Sequence, residues 1–324
     1  MLRIAVIGTG HLGSIHAKLW GQQDGATLVA VVDPDETKGR AVAAEHEAVW
    51  YASIDEMPDV DAVTIASPTS MHYDHAKAAL ERGLHCFIEK PITSTVAEAT
   101  DLLRIAASAN RVVQVGHVER FNPAIQALAS VHVEPRFIEA HRLAQFKPRA
   151  IDVSVIHDLM IHDIDLILWL TKSAVADVRA TGVSVLTDTP DICNARIEFE
   201  NGCVANLTAS RISAKPMRKM RVFQADSYIS LDLAAPSVEL YRLIDTQHFD
   251  MSHQVPLGNI STQHGDRMIV FDTPTVPTTN AIAAEQRAFL HSIRTGEVAA
   301  VTADDGAEAV RIAELVASMI KGAA

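Results

Sequence analysis

The sequence predicts two domains. Residues 1–121 form an α/β domain with a doubly wound parallel sheet, and residues 122–324 an α+β domain with an open, mostly antiparallel sheet. Two patterns carry this reading. In the first third, short runs that are apolar on both faces alternate with helical patterns, as strands of a parallel sheet covered on both sides do. Beyond Asn122, strand-like segments follow one another without helices between them, as in an antiparallel sheet. The chain of 324 residues is long enough for two cores.

In order, strands are expected at Arg3 to Ile7, Thr27 to Val32, Ala62 to Ala66, His85 to Ile88 and Val112 to Val115. Helices are expected at His11 to Gln22, Thr37 to Glu45, His72 to Arg82 and Thr95 to Ala109. Right-handed crossovers then place helices on both faces of the sheet. Ile151 to Leu170 reads as one helix, with Val155, Leu159, Ile161, Leu166 and Leu170 apolar. Strands follow at Asp177 to Leu186, Asn194 to Glu200, Cys203 to Ile212, Met220 to Gln224, Tyr228 to Asp232 and Ser237 to Leu243. Gly258 to Thr279, rich in Pro, Thr and Gly, reads as a loop. Helices at Ala281 to Thr295 and Ala303 to Lys321 end the chain, and the last can pack back on the first domain.

Composition narrows the function. A net charge of −12 argues against a nucleic-acid partner, which calls for a basic excess. Cys86, Cys193 and Cys203 are odd in number and widely spaced. They suggest neither a disulfide framework nor a zinc site and fit a reducing compartment. No apolar run approaches the roughly 20 residues of a membrane helix, and no cleavable signal opens the chain, so a cytoplasmic protein is expected.

Gly8, Gly10 and Gly13 form G-T-G-H-L-G between the first strand and the first helix, with His11 and Leu12 inside the motif. The first glycine allows a tight turn and the second a close approach of pyrophosphate to the backbone. The third lets helix and strand pack closely, with the anion at the helix N-terminus. Asp33 stands twenty residues past Gly13, where a carboxylate binds an adenosine ribose diol. A carboxylate there, with Asp35 nearby, repels a 2′-phosphate, so NAD is favoured over NADP despite Lys38 and Arg40.

Glu89-Lys90-Pro91 ends the fourth strand at the carboxyl edge, where such sheets bind ligands. A lysine there can stabilise a developing alkoxide, and the same tripeptide also suits a solvated strand end. His157, Asp158, His162, Asp163 and Asp165 crowd into nine residues of the predicted helix. Asp158 and His162, four apart, share a helix face. Imidazole suits the general base for an alcohol proton, with a carboxylate beside it to orient it or hold a hydroxyl. A solvated face is the plainer alternative. The histidines, five apart, lie about 140° from each other on an α-helix, so no metal is expected.

Together, GTGHLG, A-S-P-T-S-M-H at 66–72, E-K-P at 89–91 and D-x-x-x-H at 158–162 resemble the glucose-fructose oxidoreductase/inositol dehydrogenase (Gfo/Idh/MocA) family along nearly the whole chain. The resemblance implies a Rossmann domain and an oxidoreductase acting on CH–OH groups. It implies Lys90 and His162 as the catalytic pair and Asp158 as a ligand to a substrate hydroxyl. Ser67, Pro68, Thr69 and His72 would line the cofactor, with Glu89 beside it. G-H-V-E-R-F-N-P at 116–123 and D-V-S-V-I-H-D-L-M-I-H-D-I-D at 152–165 resemble the UDP-N-acetylglucosamine 3-dehydrogenase branch, which oxidises a sugar hydroxyl to a ketone. Many relatives carry a glycine-rich stretch where this chain has Asp152, Val153 and Ser154.

A diphosphate-linked sugar calls for cations. Arg120, Arg142, Lys147 and Arg149 are candidates, and Arg211, Lys215, Arg218, Lys219 and Arg221 crowd into eleven residues. Basic side chains also protect hairpin edges. Arg120, Arg149, His157, Asp158 and His162 are the expected substrate contacts. An inositol or free-aldose dehydrogenase, an NAD-dependent glycosidase and a non-catalytic NAD/sugar sensor are the rival readings. An open sheet leaves one face to bury, so a homodimer or homotetramer is expected through it.

Overall fold

The structure, a computed structural model, describes residues 1–147, 153–262 and 265–321. It divides into two compact units, Met1–Phe121 with Thr279–Glu314, and Asn122–Thr278 with Leu315–Ala324. The segment 279–314 therefore belongs with the first unit.

In the first unit, β1 (Leu2–Ile7), β2 (Ala26–Val32), β3 (Val49–Tyr51), β4 (Ala62–Ile65), β5 (His85–Glu89) and β6 (Val113–Gly116) form a sheet in the order β3-β2-β1-β4-β5-β6. Every pairing in it is parallel. The order reverses between β1 and β4, which puts the switch point beside the glycine loop. The three-residue β3 has no counterpart among the expected strands. It is too short to show a period, and its outer residue Val49 is exposed.

Helices α1 (His11–Trp20), α2 (Glu36–Glu45), α3 (His72–Glu81) and α4 (Val96–Ala109) connect these strands. Their ends follow from side-chain chemistry. Asp35 accepts from the Lys38 amide at the start of α2. Thr95 and Glu98 form a reciprocal capping box on α4, and Asn110 ends that helix at φ 50°. Trp20, Phe87 and Phe289 are fully buried, with Phe87 and Phe289 edge-to-face at 5.8 Å. Trp20 Nε1 donates to Thr64 Oγ1 at 2.8 Å, so its one polar atom is satisfied in the core.

In the second unit, α5 (Pro123–Gln126) precedes β7 (Phe137–Leu143), and α6 (Ile161–Thr171) leads into β8 (Val175–Val183) and β9 (Ile192–Phe199). Then come β10 (Val204–Ser210), β11 (Met217–Phe223), β12 (Ser227–Asp232), β13 (Ser237–Ile244), β14 (Gln254–Thr262) and β15 (Gly265–Asp272). The nine strands run β14-β15-β13-β12-β11-β7-β10-β9-β8, antiparallel except for β7 with β10. Ile138, Ala140, Leu207, Met220, Val222, Ile229 and Leu231 are buried on one face. On the other, Phe137, Phe223, Tyr228, Tyr241 and Phe271 stack across five strands with ring centroids 4.9–5.7 Å apart.

β7 is not among the expected strands, and two expectations need correction. β7 alternates buried and half-buried residues, but its third inward residue is Arg142, which hides the strand period. The loop expected at Gly258 to Thr279 is largely the hairpin of β14 and β15. Most of β14 is exposed and the strand bulges between Pro256 and Gly258, so backbone pairing holds it with no apolar alternation to read. Finally, the helix expected from Ile151 is not one regular helix. Residues 151 and 152 lie outside the described set, Ile156–Met160 forms a π-turn, and α6 begins only at Ile161.

α7 (Ala281–Thr295), capped by Asn280 and stopped by Gly296 at φ 74°, lies in the first unit. α8 (Ala303–Lys321) closes the chain, and its first part also belongs to that unit. Gly306 of α8 sits where a Cβ would press on Val115 and Ile92. Among the described residues, no helix is long and apolar enough to cross a membrane.

Candidate active site

The parallel sheet delivers its motifs to one edge. Gly8 has φ 91°, and a Cβ there would come within 2.7 Å of Ser67 N and Cα, so both conformation and packing require glycine. A Cβ on Gly13 would collide with the Gly8 carbonyl oxygen, so glycine is what lets α1 start hard against the turn. Gly10 differs. A Cβ there would meet no protein atom within 4 Å, so chain packing does not account for the glycine, whereas close approach of a pyrophosphate does. His11 and Leu12 open α1 on its exposed side, and no side chain caps that helix.

Asp33 follows β2. Its Oδ2 accepts from Thr9 N–H at 2.7 Å and Thr9 Oγ1–H at 2.6 Å, and its Oδ1 accepts from Asp35 N–H at 2.8 Å. The expected ribose carboxylate is thus clamped to the glycine loop. These residues fit a dinucleotide, with glycines where backbone must come close, an uncapped helix N-terminus and a fixed carboxylate at the end of β2.

After β4, Ser67, Pro68 and Thr69 lead into α3. His72 is buried between two carbonyls, Nδ1 at 2.7 Å from Pro91 O and Nε2 at 2.9 Å from Ser67 O. It ties the loop at 66–72 to the E-K-P segment. Burial pushes its pKa below the usual imidazole range, against the pull of both carbonyls. Ser67 Oγ is 3.0 Å from His75 Nδ1.

Glu89 ends β5 with its carboxylate over Gly116, where a Cβ would lie 3.1 Å from Glu89 Oε2. Its Oε1 is 2.8 Å from His16 Nε2, and Oε2 accepts from the Lys90 amide at 3.2 Å. Burial alone would raise its pKa. The His16 hydrogen bond, with the charges of His16 and Lys90, outweighs that and holds it below the usual carboxylate range. Lys90 itself is half-buried. His16 and Glu285 escaped the motif reading because one lies inside a helix and the other nearly two hundred residues from E-K-P. Among the described residues, His16, Glu89 and Glu285 are the one trio of potential metal ligands, their atoms within 4.8 Å of one another.

Arg120, expected at the substrate, is 7% exposed and pairs with Asp305 at 3.2 Å, which holds it against the start of α8 within the first unit.

In the second unit, His157, Asp158 and His162 are half-buried around the π-turn and the start of α6. Ile161 N–H donates to Ile156 O, five residues back. The four-residue alignment assumed for Asp158 and His162 therefore does not carry over unchanged, because the wider turn rotates the residues after it. His157 Nδ1 is 2.9 Å from Ser154 Oγ. Arg142 on β7 makes a two-pronged ion pair with Asp163, at 3.0 and 2.8 Å, and both side chains are 4% exposed. That pair fixes the start of α6 against the sheet. Arg149 lies outside the described residues. The basic run is not a hairpin edge, since β11 lies between β12 and β7. Arg211 pairs with Asp191 at 3.2 Å, Lys219 with Asp232 at 3.7 Å and Arg221 with Glu139 at 2.8 Å.

Comparison with known proteins agrees with this architecture. Residues 2–117 match the GFO/IDH/MocA oxidoreductase family, NAD-binding Rossmann fold, and residues 125–228 match the GFO/IDH/MocA C-terminal domain. UDP-N-acetylglucosamine 3-dehydrogenase of Acidithiobacillus ferrooxidans is 43% identical over 242 residues, 74% of this chain and 77% of the relative. A solved structure, UDP-N-acetylglucosamine 3-dehydrogenase GnnA from Acidithiobacillus ferrooxidans, superposes with a TM-score of 0.89 at 36% identity, covering 99% of this chain and 98% of that one. Inositol 2-dehydrogenase 1 of Saccharopolyspora erythraea is 36% identical over 197 residues, 55% of this chain and 56% of the relative. The chain belongs to the GFO/IDH/MocA family and is an oxidoreductase acting on CH–OH groups.

Proposed function

We propose that this enzyme uses NAD to oxidise the C3 hydroxyl of UDP-N-acetylglucosamine to a ketone. The observation that carries the reading is the likeness to a UDP-N-acetylglucosamine 3-dehydrogenase over 99% of the chain, second unit included. By sequence, the UDP-N-acetylglucosamine 3-dehydrogenase match covers 74% of the chain at 43% identity and the inositol dehydrogenase match 55% at 36%.

Bound at the glycine loop, NAD supplies the hydride acceptor. Gly8, Gly10, His11, Leu12 and Gly13 hold its pyrophosphate, and Asp33 takes the ribose diol. Asp33 and Asp35 together disfavour the 2′-phosphate of NADP. Ser67, Pro68, Thr69 and Glu89 shape the nicotinamide end, with His72 as the brace behind them. Lys90 stabilises the oxyanion that develops on the substrate, and His162 removes the alcohol proton. Asp158 holds a neighbouring hydroxyl, with His157 and Arg149 as further substrate contacts.

The half-buried aromatic row on the second face of the sheet supports a homo-oligomer built on that face, and three free, buried cysteines support a reducing, cytoplasmic setting. Light scattering of the purified protein checks the first; a monomer would remove it.

The deciding experiment follows NADH absorbance with NAD and UDP-N-acetylglucosamine in the presence of a ketone trap. Free glucose, N-acetylglucosamine and myo-inositol run beside it. NADH from the nucleotide sugar alone is the expected result. NADH only from a free polyol would overturn the substrate, and silence in an NAD-binding protein would favour a glycosidase or a sensor.

A further inference from the structure

We propose that Asp191 and Arg211 form a clamp in the second unit that positions the segment carrying His157, Asp158 and His162, acting through the carbonyl oxygen of Pro190. The inference rests on the reading of Asp158 and His162 as groups that face the substrate. It adds to them two positioning residues from far along the chain.

Residues 184–191 join β8 to β9, and apolar burial does not hold them there. Val185 and Leu186 are 59% and 57% exposed. Asp191, 0% exposed, supplies the hold instead. Its Oδ2 accepts from the amides of Val185, Leu186 and Thr187 at 2.8, 2.6 and 3.1 Å, and its Oδ1 accepts from the Thr187 hydroxyl at 3.0 Å. Arg211 follows β10 and adds the countercharge, with its Nε 3.2 Å from Asp191 Oδ1. Backbone donors and a guanidinium together keep a buried carboxylate ionised, and the turn is wrapped around it.

The clamp meets the candidate site at Pro190. Pro190 O accepts from Arg211 Nη2 at 3.3 Å and from Val155 N–H at 3.2 Å. Arg211 Nη2 also donates to Thr189 Oγ1 at 3.2 Å, and Arg211 N–H donates to Asp191 O at 2.9 Å. A planar guanidinium serves Asp191, Thr189 and Pro190 at once, which the point charge of an ammonium does not.

Val155 is buried and opens the π-turn. Its neighbour Ser154 holds two of the expected substrate contacts. Ser154 O accepts from Asp158 N–H at 3.0 Å, and Ser154 Oγ lies 2.9 Å from His157 Nδ1. On the far side of the π-turn, Asp163 is tied to Arg142 on β7. The segment is therefore anchored at both ends, by one ion pair directly and by the other through Pro190. A π-turn is the rare choice for a helix, and outside anchors fix where its side chains point.

Hydrogen–deuterium exchange of the full-length protein tests the clamp, comparing wild type with Arg211→Lys, which keeps the charge beside Asp191 and gives up the fork. Exchange should quicken about three- to tenfold in peptides covering 154–163, the scale of one lost hydrogen bond, and stay unchanged in the glycine loop. Exchange at 154–163 equal to wild type would overturn the clamp. Kinetics with NAD and UDP-N-acetylglucosamine test the positioning. Arg211→Lys should lower kcat/KM for the sugar about 10–10²-fold, the scale of a site misplaced by about 1 Å, with KM for NAD unchanged. Val155→Pro deletes the N–H that meets Pro190 O, at a residue whose φ of −56° suits proline. Because both changes break one line of contact, the double variant should be no slower than the slower single. Asp191→Asn replaces Val155→Pro in this cycle if that variant does not fold. Multiplied losses, or wild-type kcat/KM in Arg211→Lys, would overturn the positioning role. A wild type silent toward the nucleotide sugar would remove the substrate reading and leave the exchange result to decide the clamp, so the two failures are told apart.

Discussion

The motif loops of the first unit and the helix of the second are built on different physics. At the sheet edge, Gly8, Gly13 and Gly116 are dictated by backbone conformation or by atoms within about 3 Å of a missing side chain. Around His162, position depends on a π-turn and on an ion pair reaching from Arg142 to Asp163 across twenty-one residues. A site set by local backbone leaves a short motif. A site set by distant partners leaves isolated residues whose geometry only the fold reveals.

Mutations at the chemistry should show the largest effects in either region. Lys90→Ala should lower kcat about 10²–10³-fold, the scale for a lost oxyanion donor, with NAD affinity little changed. His162→Ala should lower it about 10²–10⁴-fold, the scale of general-base catalysis. Steady-state kinetics with separate NAD titration checks both. If either variant loses NAD binding in step with turnover, that residue is structural.

The glycine loop offers a sharper contrast. Gly13→Ala meets the Gly8 carbonyl and should cost about 1–3 kcal/mol of stability along with NAD binding. Gly10→Ala meets nothing in the chain, so its melting temperature without cofactor should stay near wild type while KM for NAD rises. Equal destabilisation of the two would mean that Gly10 serves packing instead of pyrophosphate. Asp33→Ala should also raise KM for NAD, and it frees the Thr9 amide and hydroxyl as well. NAD and NADP should then be used more evenly. Unchanged cofactor preference would count against the ribose role.

These contrasts show what the sequence could and could not reveal. The parallel sheet was legible because its strands are apolar on both faces and its helices start and stop at recognisable caps such as Asp35, Thr95 and Asn110. β7 was not, because Arg142 occupies a core position, where it is ion-paired with Asp163. The β14–β15 hairpin was invisible because most of β14 faces solvent. Lys90, His162 and Asp158 stand out as residue types in motifs. The brace role of His72, the Arg120–Asp305 pair and the contact of His16 with Glu89 do not, since each depends on partners far along the chain.

β7 carries the comparison on its two faces within four residues, and it yields the smallest predicted effect. Arg142 points into the core toward Asp163, with both side chains 4% exposed, whereas Glu139 meets Arg221 on the solvated side with side chains 34% and 43% exposed. Removing Arg142 strips the buried Asp163 carboxylate of its two-pronged ion pair, so Arg142→Ala should cost about 3–5 kcal/mol. Glu139→Ala gives up a pair screened by water and salt and should cost less than about 1 kcal/mol. Urea unfolding of the two variants at low and high salt measures both. A salt-sensitive loss at Glu139 and a salt-insensitive loss at Arg142 are expected. If Arg142→Ala proved as mild as Glu139→Ala, the ion pair would not be what seats α6, and His162 would owe its position to apolar packing alone.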